Sequence, residues 1–272
     1  MNTKILVSLL VIGLTAVAIG GGMTGAFFSD TETSEGNTFT AGAIDLKVDS
    51  ECSYLGSTAT DEFCDWTATD LGAAHKFFNY ADLKPGDYGE NTISLHVDNN
   101  DAWACVTLNV KRDSDVDCTE PETESTDPEC SSSNVGDGEL DENLNWFIWA
   151  DVCNDTSYDP DAVPGDNVYQ DGCDVLLTSG PASAIGDGIT WALADKDHNN
   201  VGGTNGDPLT GGKTYYLGAA WCLGTLDPAT LACDGQLVGN DVQSDSYEVD
   251  ISFNVVQKRN NPNFVCPTTP PP

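Results

Sequence analysis

The chain has 272 residues, with 44 acidic side chains against 10 basic ones and a formal net charge of −34, a surface that repels nucleic acid and anionic lipid. Three histidines lie far apart and none of the ten cysteines forms a Cys-x-x-Cys pair, which argues against a zinc finger or ribbon. The length holds one sizeable core and suits a single large all-β domain.

Lys4 is followed by an apolar run from Ile5 to Ile19, then by Gly20, Gly21, Gly22 and the small residues Thr24, Gly25 and Ala26. This is the layout of a secretory signal peptide over residues 1–26, with cleavage between Ala26 and Phe27. The run is nominally long enough to span a bilayer, but three glycines interrupt it and no basic stop-transfer cluster follows. The expectation is a chain that meets the membrane only during export and is secreted, extracellular or at the cell surface.

Cysteines in an exported chain pair most simply as disulfides, here five. Of the many connectivities, the safest pairs are local, because short loops close at low entropic cost: Cys52 with Cys64, Cys118 with Cys130, Cys153 with Cys173, and Cys222 with Cys233. Cys105 and Cys266 then remain as a long-range pair.

Strand signals dominate from Ala43 onward. Ile44–Val48, Ile93–Val97 and Cys105–Val110 alternate apolar with polar residues, as half-buried strands do. Asn145–Trp149 is more continuously apolar, as an inner strand is, and Asp174–Leu177, Thr214–Cys222 and Tyr247–Val256 follow. Lys84-Pro85-Gly86-Asp87 is a turn, with proline presetting one torsion and glycine supplying a positive one. No long segment keeps apolar residues at helical spacing. The pattern predicts an antiparallel β-sandwich of jelly-roll type over residues 43–258, with long disulfide-stapled loops. An acidic insertion is predicted near residues 113–141 and a C-terminal extension over 259–272.

Catalytic signals are sparse. His75, His96 and His198 sit in separate segments, with no His-Glu-x-x-His, no Gly-x-Ser-x-Gly and no phosphate-binding loop. The chain is therefore read as no enzyme. Calcium is the one cofactor the sequence suggests, since a hard cation is held by oxygens that Asp and Asn supply from loops. The candidate ligands are Asp151, Asp155, Asp166, Asn167 and Asp171 in one loop, and Asp195, Asp197 and Asn199 in another. The second loop lacks the glycine and glutamate of an EF-hand, and both sets also read as solvated turn residues.

Two stretches carry a resemblance. Ala26-Phe27-Phe28-Ser29-Asp30 with Asn37–Leu46 resembles the processing-site signature of the TasA/camelysin family, and Asp82–Asp87 with Ile93–Asn100 resembles the same family's turn and strand. The resemblance implies a secreted, fibre-forming biofilm matrix protein, similar to the archaeal bundling pilins, whose partner is itself in a head-to-tail homopolymer, with an accessory minor subunit as a further partner. It implies joining by donor-strand complementation, with residues 27–42 as donor and linker and Phe27, Phe28, Ser29, Asp30, Thr31, Glu32 and Thr33 as the donor strand. The alternatives are a calcium-stabilised monomeric surface or binding module and a camelysin-like metalloendopeptidase.

Overall fold

Alternation of apolar and polar residues builds two main antiparallel sheets, beside a small two-stranded one, in this chain, seen in a computed structural model that describes residues 44–58, 64–123, 137–185 and 188–267. The leader, the cleavage site, the donor segment Phe27–Thr33 and Cys130 lie outside the described residues. The strands in chain order are β1 (Asp45–Tyr54), β2 (Ser57–Thr58), β3 (Trp66–Thr69), β4 (Tyr88–Asp98), β5 (Ala102–Asp115), β6 (Leu144–Ala150), β7 (Val175–Pro181), β8 (Ile189–Ala194), β9 (Lys213–Leu223), β10 (Thr225–Leu226), β11 (Cys233–Asp234) and β12 (Asp245–Gln257). The larger sheet runs β2-β1-β4-β9-β6-β7, with β3 also on β1, and the smaller runs β12-β5-β8. β9 sits between β4 and β6, so neighbours in the sheet are distant in sequence, as in a Greek-key sandwich.

The core fills the space between the sheets. On β4, Ile93, Leu95 and Val97 are buried and pack with Val106 of β5 and Leu217 of β9. Each such side chain contributes about 1.5–3 kcal/mol by leaving water. β5 is buried along its whole first half, Ala102–Leu108, because both its faces are covered. Outside β5 lies the C-terminal segment: the Trp103 indole donates to the Asn261 carbonyl at 2.7 Å, and Cys105 is bonded to Cys266.

The strand that begins at Ala102 runs to Asp115, well past the predicted end at Val110, because Asp245–Glu248 of β12 pairs with its last residues. The shift of register at Glu248/Val249 is a bulge that lets this pairing continue. Three short helices, α1 (Glu120–Thr123), α2 (Leu140–Asn143) and α3 (Ala182–Ile185), lie among the described residues. At the predicted turn Gly86 has φ +88°. The Asp87 carboxylate closes that turn by accepting from the Lys84 amide at 2.8 Å, and accepts from the Tyr54 hydroxyl at 2.7 Å.

Disulfides join Cys52 to Cys64, Cys105 to Cys266, Cys153 to Cys173 and Cys222 to Cys233. Cys118 is also in a disulfide. No helix among the described residues is long and apolar enough to cross a membrane.

Candidate functional site

Between the sheets the packing is incomplete. A cavity of about 60 Å³ is lined almost wholly by carbon, with Ile93, Leu108, Trp146, Trp191, Leu217 and Ile251 on its walls. β12 closes one side of it, placing Val249, Ile251, Phe253 and Val255 inward, where they are only half-buried, and Glu248, Asp250, Ser252 and Asn254 out in solvent. Among the described residues β12 pairs with β5 alone, so a 13-residue strand has one backbone edge without a strand partner. A strand edge without a strand partner is a template for another extended chain.

Of the loop aspartates singled out as calcium ligands, Asp151, Asp155, Asp166 and Asp195 accept hydrogen bonds from backbone amides. Asp151 is buried at the end of β6 and accepts from the amides of Gly165 and Asn167 at 2.9 and 2.8 Å. Burial pushes its carboxyl up to about 6 against those two hydrogen bonds. Asp174, which the sequence reading did not single out, accepts from the amides of Val152, Cys153 and Gln170 at 2.8–2.9 Å. Asp166 takes the Val168 amide at 2.9 Å, Asp155 takes the Ser157 amide at 2.9 Å, and Asp171 lies 3.5 Å from the Tyr169 hydroxyl. Asn167 holds a left-handed turn at φ +60°.

In the other loop Asp195 is fully buried and accepts from the amides of Asp197, His198 and Cys266 at 2.8, 2.7 and 3.0 Å. Burial pushes its carboxyl up, but the hydrogen bonds from Cys266, Asp197 and His198 outweigh it and hold the group below its ordinary value. Asp197 is exposed, and Asn199 accepts from the amides of Val201 and Gly203 at 3.1 and 2.9 Å. These oxygens fix loop backbone, and the two loops are organised each around its own buried aspartate.

Carboxylates converge elsewhere. Asp115, Glu122 and Asp245 have oxygens within 4.8 Å of one another, the one such group of three or more metal-ligating side chains among the described residues. Asp115 and Asp245 are register partners where β5 and β12 meet the acidic insertion, and Glu122 comes from α1, where it accepts from the Ser244 hydroxyl at 2.9 Å. These three could hold a cation, but nothing beyond the carboxylates marks the place for one. Without a cation, such groups share protons. Burial, then the hydrogen bond and charge of Asp115, with Glu139 adding to them, push the Asp245 carboxyl up to about 8. Nearby, a hydrogen bond with Asp141 and then burial push Glu142 up to about 7. Sequence reading missed this group because only the strand register brings Asp115 and Asp245 together.

The histidines stay apart in function. His96 lies within the larger sheet, its Nε2 2.6 Å from Asp49 and its Nδ1 3.0 Å from the Thr214 hydroxyl. His75 accepts at Nδ1 from the Gly72 amide, and His198 lies 3.0 Å from Asp195. None of them belongs to a cluster of three or more metal-ligating groups among the described residues.

No curated protein matches the chain. Residues 1–54 match the family model described as camelysin metallo-endopeptidase. That stretch holds both the processing-site motif and β1, so the likeness read from Ala26–Asp30 and Asn37–Leu46 is borne out there: over its first 54 residues this chain is similar to the camelysin/TasA family.

Proposed function

We propose that this chain is a secreted structural subunit that polymerises into extracellular filaments of a biofilm-matrix type, each copy lending residues Phe27–Asn37 to the sandwich of the next. The observation that carries this reading is the edge of β12, which has no strand partner among the described residues, over the apolar cavity between the sheets. An extended segment laid there gains main-chain hydrogen bonds, and alternate side chains such as Phe27, Ser29, Thr31 and Thr33 lie on one side of it. Head-to-tail repetition of such a contact does not close on itself, so it yields a fibre.

The family description names a metallo-endopeptidase, and we read this chain as structural instead. Hydrolysis by a bound metal needs closely placed ligands and a general base, whereas His75, His96 and His198 each serve a local hydrogen bond. The test is electron microscopy of the chain beginning at Phe27 beside a chain lacking residues 27–37. Filaments from the first and monomers from the second are expected. Filaments from the shortened chain would remove the donor role, and a stable monomer from both at high concentration would remove polymerisation.

A further inference from the structure

The outer face of the larger sheet carries a second cavity, of about 340 Å³, a volume in the range of small-molecule sites. Its floor is strand: Ser53 of β1, Tyr88 and Glu90 of β4, and Ala220 of β9, the register partner of Glu90. Its walls are two loops, Asn167–Tyr169 inside the ring closed by Cys153–Cys173, and Ala229–Leu231 inside the ring closed by Cys222–Cys233. Two separate disulfides thus hold the two walls, so the cavity is framed before any ligand arrives.

Its polar centre is Glu90. The side chain is half-buried, accepts from the Ser53 hydroxyl at 3.2 Å, and forms no ion pair with Lys, Arg or His among the described residues. Burial pushes its carboxyl up, and hydrogen bonds from Ser53 and Asn167 act against that shift. The other buried acids that shape this side of the molecule, Asp151 and Asp174, are filled by two and three backbone amides. Glu90 has neutral partners and open space in front of it. Beside it stand two tyrosines, Tyr88, 39 % exposed, and Tyr169.

We propose that this pocket binds a small organic cation, an ammonium or guanidinium group, with Glu90 as its counter-ion and the rings of Tyr88 and Tyr169 as its walls. A carboxylate in a partly desolvated cavity binds a cation through charge-assisted hydrogen bonds, and tyrosine faces add cation–π attraction. An anion is repelled by Glu90 and by a chain of net charge −34, and an apolar ligand would bury the carboxylate without a counter-ion. The same chemistry is offered by a free amine and by an arginine or lysine side chain on a peptide. The site lies on the opposite face of β4 from the inter-sheet groove and does not depend on the assembly reading.

The test is titration calorimetry on the chain beginning at Phe27 in about 0.15 M salt, where nonspecific attraction to exposed acids is screened. The probes are agmatine, the peptide acetyl-Gly-Arg-Gly-amide, and glucose as a neutral comparator. Saturable one-to-one binding of either cation supports the site; agmatine alone points to free amines, and the peptide alone to protein side chains. Glu90→Gln, which keeps the shape and removes the charge, should weaken binding about tenfold or more, and Tyr88→Ala about threefold or more. Asp250→Asn, an exposed acid on β12, should leave binding unchanged. If Glu90→Gln does not fold, weakening of the wild-type interaction as Glu90 is protonated at falling pH replaces it as the readout. No saturable heat, glucose binding as tight as that of the cations, or affinity indifferent to both Glu90→Gln and pH would overturn the proposal.

Discussion

The ring of Trp149 lies across the backbone of its register partner Gly218, so closely that a Cβ on Gly218 would stand 2.1 Å from the ring. Glycine here serves space rather than torsion. A strand interior ordinarily disfavours glycine, and its presence opposite a fully buried tryptophan marks a close approach. Gly218→Ala should therefore destabilise the fold by about 1–3 kcal/mol, the cost of overpacking, measured by urea unfolding. A double variant with Trp149→Phe should recover part of the loss, since the smaller ring vacates the space.

The carboxyl of Asp245 gives a pH dependence with a definite sign. Its folded value is raised from 3.8 to about 8, so the folded state holds a proton that the unfolded state has released. This contribution to stability is fully present below about pH 4 and declines as pH rises toward 8. The groups facing it are Asp115, Glu122 and Glu139, all acidic. Thermal melts from pH 5 to pH 8 should show a falling midpoint that Asp245→Asn flattens, because the amide mimics the protonated acid. A variant that falls as steeply as the wild type would remove Asp245 from this role.

The long-range disulfide should matter most among those described. Cys105–Cys266 closes 161 residues and Cys222–Cys233 closes 11. Loop-closure entropy alone makes removal of the first pair about 2 kcal/mol more costly than removal of the second. It also frees the segment that covers Trp103. Chemical unfolding of the two double Cys→Ala variants, with tryptophan fluorescence as a second signal, compares them directly.

Filament growth, if copies join as proposed, brings together strongly acidic chains, since the full sequence has a net charge of −34 and the leader holds one of its ten basic residues. Repulsion between them reaches about 30 Å at 0.01 M salt and about 3 Å at 1 M. Light scattering should show assembly accelerating steeply with added salt, and calcium acting at lower concentration than sodium because each ion carries two charges. Growth rates independent of salt would contradict this.

The sandwich was legible because β1, β4 and β12 alternate apolar and polar residues along most of their length, and burial follows that alternation. Cys52–Cys64, Cys153–Cys173 and Cys222–Cys233 were legible because proximity in sequence limits which loops close cheaply. What the sequence hid was pairing register. Asp115 and Asp245 lie 130 positions apart and meet only because β12 and β5 align there. The loop aspartates hid something else: composition marks Asp151 and Asp195 as oxygen donors but does not say that backbone amides already occupy them. Glu90 was passed over because it lies outside the predicted strand Ile93–Val97, and β4 in fact starts at Tyr88 with two loops lining a cavity beside Glu90.

Because neighbouring residues of a strand face opposite ways, β4 divides two kinds of work along one backbone. Ile93, Leu95 and Val97 belong to the interior, while Tyr88 and Glu90 belong to the outer cavity. The nearest members of the two sets, Glu90 and Ile93, stand three residues apart on the same strand. Changes to the outer side chains can alter what the surface recognises while the interior and the open edge of β12 stay as they are, so recognition and architecture can vary independently in the same sheet.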